Sequence, residues 1–104
     1  MDIKLIIDSV LSNRVNITHH AREEAKNDSL LLDDIFFSTC NGEIIEDYPT
    51  DKPYPSCLIY GKSSSGDPIH CVWGYDSESE IAILITVYRP DPNLWINWKE
   101  RRRS

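Results

Sequence analysis

Ile3, Ile6, Ile7, Val10 and Leu11 recur at three- and four-residue spacing, with Asp2, Lys4, Asp8 and Ser9 off that stripe. This period predicts an amphipathic helix over 2–13. Residues 13–16 read as a short link. Thr18 is placed to cap a second helix over 19–27, because its hydroxyl can accept an otherwise unpaired amide N–H. A third helix is expected over 31–40, with Leu32, Ile35, Phe36 and Thr39 on one face and Asn41-Gly42 as its stop. After Gly42 the period shortens to that of strands. Strands are expected over 43–48, 56–62, 67–75 and 80–88. The segment 49–55, with three prolines, must be a loop. Ser63-Ser64-Ser65-Gly66 and Asp76-Ser77-Glu78-Ser79 supply tight connections. Trp95 and Trp98 lie one helical step apart, which predicts a last helical turn over 93–99.

This order of elements predicts an α+β domain: three N-terminal helices, then a four-stranded antiparallel meander. Strand alternation sorts the side chains by face. Ile69, Cys71, Trp73 and Tyr75, with Ile81, Ile83, Ile85 and Val87, form the expected helix-covered face. His70, Val72, Gly74, Ala82, Leu84, Thr86 and Tyr88 fall on the other face, next to residues of the 56–62 strand. An imidazole, a hydroxyl and a phenol on one sheet face can floor a polar cleft.

The chain has 104 residues, 40% of them hydrophobic, which is enough for one domain with one core. No apolar run approaches the ~20 residues of a membrane span, and the acidic start is unlike a signal peptide, so a cytoplasmic protein is expected. Cys40, Cys57 and Cys71 are widely spaced and form no C-x-x-C pair, so they read as reduced, mostly buried thiols. The net charge of −6 is unevenly spread: residues 1–88 carry six bases and fifteen acids, a balance of −9, and residues 89–104 carry five bases and two acids, a balance of +3. An acidic body disfavours broad nucleic-acid binding and leaves local phosphate contact to the basic tail.

All three histidines fall in two segments, His19-His20 at the start of the second helix and His70 in the third expected strand. Histidine is the side chain whose ordinary pKa suits proton transfer near neutrality. His19 lies one turn before Glu23 and His20 one turn before Glu24, a spacing that can orient an imidazole or simply decorate a surface helix. A metal site drawing on His19, His20 and His70 is a further alternative.

The segments Ile17-Thr18-His19-His20-Ala21-Arg22, Asn41-Gly42-Glu43-Ile44-Ile45-Glu46-Asp47-Tyr48-Pro49, Gly66-Asp67-Pro68-Ile69-His70 and Ile85-Thr86-Val87-Tyr88 follow one another in a recognisable order. Over about residues 15–92 the chain resembles the small bacterial family catalogued as domain of unknown function 4258, with the basic tail 93–104 beyond it. The family is similar, at a distance, to toxins of the RelE and BrnT type. That likeness implies a RelE- or barnase-like fold, a metal-independent ribonuclease chemistry without cofactor, and a small antitoxin-like protein as partner. It matches His20, Arg22, His70, Thr86 and Tyr88 to family positions; His19 is extra. For RNA cleavage, His20 and His70 would move protons and Arg22 or Arg89 would stabilise phosphate charge. Tyr88 would donate a hydrogen bond or stack on a base, and Thr86 would line the site. The rival expectation is a non-catalytic protein-interaction module, which the negative charge favours.

Overall fold

The structure, a computed structural model, describes residues 1–103. Helix α1 (Ile3–Leu11) starts at Asp2, whose carboxylate accepts the Lys4 N–H. Strand β1 (Val15–Ile17) follows, then α2 (His19–Asn27), where the Thr18 hydroxyl accepts the Ala21 N–H as expected. Helix α3 (Leu32–Cys40) leads into strands β2 (Glu43–Tyr48), β3 (Ser56–Lys62), β4 (Pro68–Asp76) and β5 (Ile81–Tyr88). Two short strands, β6 (Trp95–Ile96) and β7 (Glu100–Arg101), form a C-terminal hairpin. No helix of the described residues is long and apolar enough to cross a membrane.

The expected four-stranded antiparallel meander of a RelE- or barnase-like fold is overturned by the sheet itself. It is five-stranded and mixed, in the order β1-β5-β4-β3-β2, with β1 parallel to β5 and the other pairs antiparallel. Three residues are too few to show a strand period, so Val15-Asn16-Ile17 looked like a link. What makes them a strand is the neighbour: Ala82 N–H donates to Arg14 O and Thr18 N–H to Leu84 O at the two ends of the pairing. The expected last helical turn is also a correction. Asn97 and Trp98 have φ of 51° and 66°, and the chain turns back through the loop 97–99 between the paired Ile96 and Glu100.

Helix α2 carries on along β5 where β1 stops. Thr18 Oγ1 donates to Ile85 O, Glu24 Oε1 accepts the Val87 N–H at 3.2 Å, and Asp28 Oδ2 accepts the Arg89 N–H at 2.8 Å. These side chains satisfy backbone groups that an edge strand would otherwise leave to solvent.

The core lies between the helices and one sheet face. Ile6, Ala21, Ile35, Ile69, Cys71 and Trp73 have no exposed surface there, and Trp73 Nε1 donates to Thr39 Oγ1 at 3.0 Å. Gly61 lets α3 lie directly on β3, since a Cβ there would fall 1.9 Å from Ser38 O. A bulge shifts the expected faces of β5. Val72 pairs with Thr86 but Trp73 pairs with Leu84, so Ile85 is the extra residue. Val87 faces the helices as expected, but Ala82 and Leu84 do so in place of the expected Ile81, Ile83 and Ile85. A second bulge at Ile45 turns Glu46 to the helix-free face, opposite Leu58.

Candidate functional site

Tyr60, His70 and Tyr88 stand side by side across β3, β4 and β5 on the helix-free face, because the register pairs Tyr60 with His70 and His70 with Tyr88. The C-terminal hairpin crosses this row. Trp95 sets its ring edge-on to His70 with centroids 4.5 Å apart, and the imidazole is completely buried. The Trp98 carbonyl lies 2.6 Å from Nε2 and the Tyr88 hydroxyl 3.1 Å from Nδ1. A carbonyl can only accept, so Nε2 carries the proton and Nδ1 of the neutral ring accepts from the phenol. Burial holds the His70 pKa below the ordinary histidine value, and burial pushes Tyr88 up to about 12. Both groups are thus neutral around pH 7.

Charge holds the hairpin to the rim of β2. Arg101 bonds both carboxylate oxygens of Glu46, at 2.8 and 3.1 Å, and stacks on Trp95 with its guanidinium carbon 4.7 Å from the ring centroid. The Arg101 bond keeps Glu46 below the usual carboxylate range, and Glu46 also accepts from Tyr48. Lys99 Nζ meets Glu43 at 2.8 Å. The basic tail is therefore folded onto the acids of β2.

Beside Tyr88 a cavity of about 350 Å³ opens between the end of β5 and the hairpin, walled by Arg89, Asp91, Leu94, Arg101 and Arg102. The structure brings Tyr88 and Arg89 to this cavity, with His70 paired to Tyr88 behind it and Thr86 on the same face two pairs along. His20 and Arg22 stand apart from it. Both are exposed on α2, and neither touches His70 or lines the cavity. His20 Nε2 meets Glu24 at 3.1 Å with a 69% exposed side chain, and His19 meets Glu23 at 3.9 Å. Glu24 is already engaged by the Val87 N–H. The expected meeting of the His20 and His70 imidazoles across one hollow does not occur among these contacts.

No group of three His, Cys, Asp or Glu side chains among the described residues is arranged to hold a metal ion. The residues that sequence reasoning missed are Trp95, the Trp98 carbonyl, Arg101 and Arg102. The alternation of Trp95, Asn97-Trp98 and Arg101 is the trace of a hairpin, but it also fits the helical step of two tryptophans.

The architecture is that of a small α+β domain with one helix-free sheet face closed by its own C-terminal hairpin. Residues 17–89 match the family described as Domain of unknown function (DUF4258), and the chain belongs to that family. The matched segment ends before the hairpin begins. No curated protein and no solved structure matches the chain.

Proposed function

We propose that this chain is a non-catalytic protein-interaction domain, with a small antitoxin-like protein as its partner. One observation carries the reading: the His70 imidazole is fully buried and both its nitrogens are engaged within the chain. A general base must reach the proton it removes, directly or through one water. Two of the tail cations that could have held RNA phosphates, Lys99 and Arg101, are committed to Glu43 and Glu46. Leu5, Leu11, Leu31, Leu32 and Phe37 on or beside α1 and α3 are 37–73% exposed, which suits contact with a protein better than with a polyanion.

A metal-independent ribonuclease is the second reading, favoured by the chain of Tyr88 hydroxyl, His70 and Trp98 carbonyl. The carbonyl fixes the tautomer in which Nδ1 can take the Tyr88 proton as the phenol takes one from a 2′-hydroxyl. Arg89 would bind the phosphate, with Thr86 nearby. Incubation of the purified chain with single-stranded RNA separates the two. No cleavage supports the interaction domain. Cleavage that His70→Gln and Tyr88→Phe both abolish, with circular dichroism unchanged, would overturn it in favour of the nuclease.

A further inference from the structure

We propose that the cavity between the end of β5 and the C-terminal hairpin binds a phosphoryl group, free or as a nucleotide monoester. Three guanidinium groups, of Arg89, Arg101 and Arg102, line it against one carboxylate, Asp91. Arg101 is neutralised by two bonds to Glu46. Arg102 uses only its Nε, which donates to Pro92 O at 2.9 Å, so its terminal N–H groups have no protein acceptor among the described residues. Arg89 is anchored through Nε to Asp28 O at 2.8 Å and through NH2 to Ser29 O at 3.4 Å, and its NH1 lies 3.6 Å from Asp67 in an exposed ion pair too long for a hydrogen bond, which leaves NH1 the least engaged of its donors. Asp91 accepts the Asn93 N–H through Oδ1 at 2.8 Å and forms no ion pair with an arginine among the described residues. Two anchored guanidinium groups with spare donors across a space of about 350 Å³ offer the paired N–H geometry that matches phosphate oxygens. The Tyr88 ring and the exposed Leu94 give the same cavity an apolar wall, on which the organic part of a monoester can rest. This site does not depend on whether the chain cleaves RNA.

Calorimetric titration of the full chain with inorganic phosphate and with uridine 5′-monophosphate tests it. Both probes should bind saturably, and Arg89→Gln and Arg102→Gln should each weaken binding by roughly tenfold. Lys62→Gln, at a different cavity, should leave binding unchanged. Tighter binding of the monoester would assign the site to nucleotides, and equal binding to the free anion. Absence of saturation with both probes, or binding that survives both arginine substitutions in folded protein, would overturn the proposal.

Discussion

His70 shows how one side chain can be legible in identity and misread in task. Its place in an alternating strand correctly put it on the face away from the helices, with Thr86 and Tyr88. Nothing in that alternation shows that a hairpin from residues 95–101 closes over the ring, because the closing atom is a backbone carbonyl, which any residue possesses. His70→Ala would leave the Trp98 carbonyl and the Tyr88 hydroxyl, both part-buried, without their partner, at about 1–3 kcal/mol together. Urea unfolding should show a loss in that range. The pH dependence follows from the lowered pKa of the folded state. The unfolded chain takes up a proton near pH 6.5 and the folded chain only below that. Stability is therefore full above about pH 6.5 and declines as pH falls, by at most about 1.4 kcal/mol per pH unit from this residue. Denaturation midpoints from pH 8 to 5 should show the decline, and His70→Gln should flatten it. Burial also pushes the Cys57 and Cys71 thiols up to about 12. Iodoacetamide should leave both unmodified in the native protein and label them after unfolding, as mass spectrometry of digests would show.

At the scale of elements, the sequence was clear wherever a period ran for a turn or more. The three helices and the strands β2 to β5 stand within about two residues of expectation, since apolar spacing and turn residues act locally. Strand β1 and the bulge at Ile85 were hidden for opposite reasons. The first is too short to have a period, and the second interrupts a run, 81–87, whose residues are almost all apolar, so shifting it by one leaves the pattern looking intact. The same limit applies to α2, whose His20–Glu24 spacing suggested an oriented imidazole. Glu24 does meet His20, but the same carboxylate also serves the β5 backbone, which no spacing reveals. Glu24→Ala and Asp28→Ala should each lower stability by about 1 kcal/mol, with faster amide exchange at Val87 and Arg89 respectively. Thr18→Val, which removes both the helix cap and the bond to Ile85 O, should cost about 1–2 kcal/mol in the same denaturation assay.

Over the whole molecule, the split between an acidic body and a basic tail was visible from composition, but its meaning was not. Composition cannot say that Lys99 and Arg101 find Glu43 and Glu46, 55 or more residues away in the chain. These are exposed pairs, worth about 1 kcal/mol or less each, so they place the hairpin more than they stabilise the fold. Arg101→Glu should raise acrylamide quenching of tryptophan fluorescence while moving the urea midpoint little, and the reversed pair Glu46→Arg with Arg101→Glu should restore protection. The pairing of β1 with β5 has a different reach. A nascent chain emerging from its N-terminus has made Val15-Asn16-Ile17 long before residues 81–88 exist to receive them. Until then the buried face of α1 lacks much of its seat, so a segment made early is among the last to find its place, and chains interrupted before residue 81 should be easy prey for proteases.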